Sequence, residues 1–226
     1  MTEVSKVGQA QAAQQAQPKT TMKADERIEV FEGMTVNDVE QNGSEAQKLV
    51  AKAFDTGIKG KGYKAGDGVY SEKEAENLNN YRFALDKQNR ELRAHNKKTG
   101  ATVTIKYNDL EELQNNAALV KSAGHGRIKG GNITYDFRNK TTTFEDVTMD
   151  GALNIASRGK CDKVIIRNCD ANRVVGYGFH GEIQLENLKD MGMLWDSPTK
   201  MYLEPDATLK TDSQSKIEIK RYNHEK

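Results

Sequence analysis

From Gly130 onward, short runs of alternating apolar and polar residues recur about every ten residues. They are Ile133–Phe137, Thr142–Val147, Ala152–Ile155, Lys163–Arg167, Arg173–Val175, Glu182–Leu185, Lys200–Leu203, Ala207–Lys210 and Lys216–Ile219. Turn formers separate them: Asn139, Asp150-Gly151, Asn168, Asp170, Asn172, Gly181 and Asp212. A period of two predicts strands with one face buried. Val164 with Ile166, Ile183 with Leu185, Met201 with Leu203 and Ile217 with Ile219 then form the inward column.

Many short strands at regular spacing fit a sandwich, a barrel or a solenoid. The loose ten-residue period, broken at Asn and Asp, resembles the irregular rungs of a right-handed parallel β-helix. That resemblance implies a parallel β-solenoid over residues 126–226, with an antiparallel β-sandwich or roll as the alternative. A solenoid buries only a narrow aliphatic column. The composition agrees, since 36% of the 226 residues are hydrophobic and 30% are charged.

The N-terminal half has helical spacing instead. Residues 1–24 are rich in Gln, Ala, Thr and Lys and predict a disordered tail. Residues 25–125 predict a helical module with a β-hairpin, so the fold class is α+β. A short strand falls near Arg27–Phe31 and a short helix near Met34–Val39. Ser44 caps a helix carrying Ala46, Leu49, Val50, Ala53 and Phe54. Ser71 with Glu74 three residues on is a capping box, and Ala75, Leu78, Tyr81 and Leu85 predict a second helix. Glu91–Tyr107 alternates about a Lys97–Gly100 turn and predicts the hairpin. Asp109 caps a helix carrying Leu110, Leu113, Ala117 and Val120, which ends near Gly124.

Between the first two helices lie Asp55, a Gly/Lys-rich insertion over residues 57–64, and Asp67-Gly68-Val69-Tyr70-Ser71-Glu72-Lys73-Glu74. With the insertion removed, this segment resembles the calcium loop of an EF-hand, although Ala65 stands at the third ligand position. The resemblance implies calcium held by the carboxylates of Asp55, Asp67 and Glu74 and by the backbone carbonyl of Val69, with Gly68 at the sharp turn. Affinity on the order of 10⁻⁴ M or poorer follows from the missing third ligand. A metal-free capping box and turn explain Ser71, Glu74 and Asp67-Gly68 equally well.

Charge narrows the partners. A formal net charge of +1 gives no global field for nucleic acid or a membrane surface. No apolar run in the first twenty residues forms a secretory signal, and no segment is apolar enough to span a bilayer. The expectation is a cytoplasmic protein, or one exported by a route that needs no such signal. Cys161 and Cys169 lack metal-ligand spacing and predict buried free thiols. The Gly57–Lys64 run lacks the Lys-Ser/Thr of a phosphate loop. His125 and His180 have no metal partner at ligand spacing, and His180 reads as a structural histidine.

Function follows as a non-enzymatic protein with structural calcium, displaying a solenoid face to a glycan or another protein. Trp195 and Tyr202 are candidates for a sugar-stacking platform. The alternatives are a polysaccharide-acting enzyme using the acids and arginines near Asp146, Asp150, Arg158, Asp162, Arg167, Asp170 and Arg173, or a metal-free structural protein.

Overall fold

The computed structural model describes residues 26–28, 34, 36–54, 78–125, 127–155, 161–189 and 198–224. The tail and the whole segment 55–77 lie outside these residues, so Asp55, Asp67, Val69 and Glu74 do as well. Arg158 and Trp195 also lie outside them.

Two helices lead in, α1 (Val36–Asn42) and α2 (Glu45–Phe54). Ser44 begins α2 with a reciprocal cap. Its Oγ accepts from the Gln47 N–H at 3.2 Å, and its own N–H donates to Gln47 Oε1 at 2.9 Å. Two otherwise orphaned donors are thereby satisfied. Ala46, Leu49, Val50 and Ala51 turn inward, as helical spacing requires.

The second predicted helix needs correction. Leu78–Asn80 is a single 3₁₀ turn, and Tyr81–Asp86 is a strand, β2. Leu78, Tyr81 and Leu85 do match a helical stripe, but Tyr81, Phe83 and Leu85 also match a period of two. Strand pairing decides between them. β2 lies between β1 (Glu26–Ile28) and β3 (Glu91–Asn96), antiparallel to both, and Tyr81, Phe83 and Leu85 are buried. Among the described residues, Leu78–Asp86 therefore does not carry the second helix of a helix-loop-helix.

β3 and β4 (Thr102–Lys106) make the predicted hairpin. Asp109 caps α3 (Leu110–Asn116), its Oδ1 accepting from the Glu112 N–H at 2.9 Å. A 3₁₀ stretch, Ala117–Gly124, continues α3 and packs Ala117, Val120 and Ala123 against the hairpin.

From here the chain is a β-solenoid of about three turns. After β5 (Ile128–Lys129) and β6 (Asn132–Asp136), each rung gives one strand to a long sheet and one to a short sheet. The rungs are β7 (Thr141–Glu145) with β8 (Thr148–Asn154), β9 (Lys163–Arg167) with β10 (Asp170–Gly176), β11 (Glu182–Glu186) with β12 (Thr199–Leu203), and β13 (Thr208–Thr211) with β14 (Ile217–Arg221). The long sheet runs β1-β2-β3-β4-β6-β7-β9-β11-β13 and the short one β14-β12-β10-β8-β5. Successive rungs pair parallel, which excludes the sandwich or roll of antiparallel strands for this region. The ten-residue period was that of the half-rung. The long sheet also runs unbroken from the hairpin into the coil, because β4 pairs parallel with β6.

Val164, Ile166, Ile183, Leu185, Met201 and Leu203 are buried, as the alternation predicts. Ile217 and Ile219 hold the same side of β14 but close the last rung, and Ile219 stays 47% exposed.

The corners between the two sheets repeat one device. Asp146, Asn168 and Asn187 follow β7, β9 and β11, all with left-handed backbone (φ 55°, 50° and 55°). Asx side chains tolerate that conformation better than other branched residues do. The residue after each, Val147, Cys169 or Leu188, is buried in the core. Cys169 is thus a core thiol, and both cysteines are free. Burial pushes the Cys169 thiol up to about 11.

Candidate functional site

At the C-terminal end of the short sheet the register aligns Gly176, Leu203 and Arg221 on β10, β12 and β14. The ladder runs one bond further, with the Tyr222 N–H donating to the Leu203 carbonyl at 2.9 Å. Tyr177, Glu204 and Tyr222 therefore leave three adjacent strands side by side. Strand register alone assembles this group.

Glu204 is its centre. It is only 2% exposed, and a carboxylate so buried needs a partner for each oxygen. Oε1 accepts the Gly178 N–H at 2.6 Å, and Oε2 lies 2.6 Å from His224 Nε2. Gly178 presents its N–H from a turn at φ +72°, a conformation that glycine adopts without strain. The Gly178 N–H and then the His224 ring hold the Glu204 carboxyl below the ordinary carboxylate range, against the opposing effect of burial. Since Glu204 is the anion, His224 Nε2 is the donor.

A second pair stands beside it at the surface. His180 Nδ1 lies 2.8 Å from Asp206 Oδ1, and both side chains are mostly exposed. The hydrogen bond to Asp206 raises the His180 pKa, and the same bond lowers that of Asp206. Arg221 pins the connecting loop, donating to the carbonyls of Glu204 and Ala207.

Aromatic rings cover the group. Tyr222 sits 6.3 Å from Tyr202 and 6.1 Å from His224, at interplanar angles of 35° and 30°. Tyr177 meets Tyr222 edge-on, at 5.3 Å and 89°, and is 61% exposed. Edge-to-face packing suits the ring quadrupole and fixes the tilt of the platform. The result is an aromatic surface bordered by hydrogen-bonding groups: tyrosine hydroxyls, two imidazoles and an exposed carboxylate.

Other predicted site residues are scattered. Asp146 is a corner residue. Asp162 pairs with Lys140 at 3.4 Å in solvent. Arg167 lies on the outer face of the long sheet between Glu145 and Glu186, to which it bonds. Asp150, Asp170 and Arg173 belong to the short sheet. These acids and arginines do not share one face. Among the described residues no group of three or more His, Cys, Asp or Glu side chains is arranged to hold a metal ion.

Of the platform, the sequence identified Tyr202 alone. Glu204, Tyr177, Tyr222 and His224 were missed, and His180 was read as structural. The usable signal was the register: once Leu203 and Arg221 are aligned, the residues that follow them must be neighbours.

Fold and site together define a short β-solenoid with a helical N-terminal part and an aromatic–carboxylate patch at one end. No protein-family model matches the chain, no curated protein matches it, and no solved structure matches it.

Proposed function

We propose that this protein binds neutral oligosaccharide chains, without cleaving them, on the platform of Tyr177, Tyr202, Tyr222 and His224. The observation that carries the reading is the cluster of Tyr177, Tyr202 and Tyr222 rings, the first exposed and the other two half-buried, against the His224 ring that is bonded to the buried Glu204 carboxylate. Sugar rings present apolar C–H faces with hydroxyls at the rim. Such ligands suit flat aromatic surfaces bordered by a few polar groups. The His180–Asp206 pair and the tyrosine hydroxyls supply that border.

Binding fits the electrostatics better than hydrolysis. A glycosidase needs one carboxylic acid kept protonated, with its pKa raised. Glu204 and Asp206 are both shifted the other way, so neither is a proton donor near neutral pH. Their role here is to orient the imidazoles.

Structural calcium is the second part of the proposal, carried by the sequence pattern of Asp55, Asp67, Val69 and Glu74. In the fold described above, residues 55–77 join α2 to the first long-sheet strands. An ion there would stiffen that connection rather than complete an EF-hand pair.

The test is affinity electrophoresis against a panel of neutral and acidic polysaccharides. Retardation by a neutral polymer, lost in Tyr177→Ala, is the expected result. Migration unchanged by every polymer, or retardation that Tyr177→Ala leaves intact, rejects the platform, and a protein partner then becomes the better reading of this face.

A further inference from the structure

Among the described residues the last rung of the solenoid has a free edge: in the long sheet β13 pairs only with β11, and in the short sheet β14 pairs only with β12. Repeat proteins ordinarily cover such an end, since a free edge offers unpaired N–H and C=O groups and the bottom of the apolar column. Here Leu209 and Ile217 are only partly buried and Ile219 is 47% exposed. At the other end the coil runs on into the hairpin, α3 and the 3₁₀ stretch.

We propose that a second copy of this chain closes the open end, the two β14 strands pairing antiparallel about a two-fold axis at Ile219. The backbone direction comes first. The Thr199 N–H donates to the Lys216 carbonyl and the Tyr222 N–H to the Leu203 carbonyl, so the even-numbered residues of this stretch turn their backbone groups toward β12. Parity leaves the N–H and C=O of Ile217, Ile219 and Arg221 facing the open edge. Ile219 and its copy would then exchange both hydrogen bonds, as an antiparallel narrow pair requires.

Charge selects the register. Centred on Ile219, every residue of Ile217–Arg221 finds a partner, and Glu218 faces Lys220 of the other copy twice. Ile219 lies against Ile219 on the core side. A shift to Glu218 as centre sets Glu218 against itself and Lys216 against Lys220. A shift to Lys220 sets that lysine against itself. Like charges directly opposite destabilise a strand pair, so Ile219 is the centre with five paired residues and no such clash. Because the two-fold axis sets β14 against its own copy, the same edge is used by both partners and the pairing closes as a dimer instead of extending into a filament. It needs no ligand on the aromatic platform.

Sedimentation velocity on the full chain, over a range of concentrations, tests this. The wild type should sediment at twice 25.2 kDa. Glu218→Lys and Lys220→Glu should each weaken the dimer by about tenfold or more, because each opposes two like charges. The double reversal should restore it. Ile219→Lys should give a monomer, with far-UV circular dichroism showing that the chain is still folded. Should Ile219→Lys fail to fold, the two reversals at exposed positions decide. A wild type that stays at 25.2 kDa at every concentration overturns the proposal. So does a dimer indifferent to both single reversals, or a double reversal that stays monomeric.

Discussion

Asn187 Nδ2 donates to Asn168 Oδ1 at 2.9 Å, and the two residues occupy equivalent left-handed corners of successive rungs. Asn187 is tied to the next rung too, its N–H donating to Asp212 Oδ2 at 2.7 Å. The corner is thus a ladder of Asx residues parallel to the coil axis. Asp212 also accepts from the Ser215 N–H at 2.9 Å, so it serves its own turn as well as the neighbouring rung.

Asn168→Ala should therefore destabilise the protein by about 1–2 kcal/mol, combining the loss of the Asx side chain's tolerance of the left-handed region with one lost hydrogen bond. Asn168→Gly should cost less, because it forfeits only the hydrogen bond and some chain entropy. Urea denaturation of the two variants checks the order. Equal losses would show that backbone conformation is not what the asparagine supplies.

The two carboxylate–imidazole pairs give opposite pH dependences. Glu204 has its folded pKa below the ordinary 4.5, so its contribution is complete above that value. It is lost as pH falls through the lower folded pKa. His180 has its folded pKa above 6.5, so its contribution is complete below 6.5 and is lost as pH rises through the raised value. The end of the solenoid should be most stable between these limits. Thermal melts across pH, on wild type, Glu204→Gln and His180→Gln, should show the acid limb shrink in the first variant, with the remainder carried by Asp206 and other carboxylates of lowered pKa, and the alkaline limb shrink in the second. High salt should blunt the exposed His180–Asp206 effect more than the buried one.

Gly178 positions its N–H against Glu204 from φ +72°, and an added Cβ there meets nothing within 4 Å. Gly178→Ala should cost about 1–2 kcal/mol through backbone strain alone. It should also loosen the Glu204–His224 pair, which is visible as a change in the chemical shifts of the His224 ring protons by NMR at fixed pH.

Calcium at about 1 mM, against a dissociation constant on the order of 10⁻⁴ M, should stabilise the wild type by about 1.4 kcal/mol. Glu74→Gln should abolish the shift. A melt in which calcium and chelator give the same midpoint for both proteins removes the metal from the account.

Much of the solenoid was legible because its alternation has no competing period. Val164/Ile166 and Ile183/Leu185 fit only a strand, and Asn168 and Asp212 mark where it breaks. Parallel against antiparallel pairing was harder to read, since both bury the same side chains. Tyr81–Asp86 failed for a different reason. Tyr81 and Leu85 satisfy both periods, and the choice was made by long-range pairing with β1 and β3. The platform was nearly invisible, because Tyr177, Glu204 and Tyr222 are far apart in the chain. Their meeting depends on an irregular rung length, which no local pattern encodes.

If the proposed function holds, the tyrosine platform binds a neutral glycan without turnover. Isothermal titration of a neutral oligosaccharide panel into wild type and Tyr222→Ala, with reducing ends assayed in the same cell, tests it most directly. Saturable binding to the wild type is expected, with affinity lowered about tenfold or more in Tyr222→Ala and no new reducing ends. Equal affinity in the two proteins, or release of reducing sugar by the wild type, would contradict it.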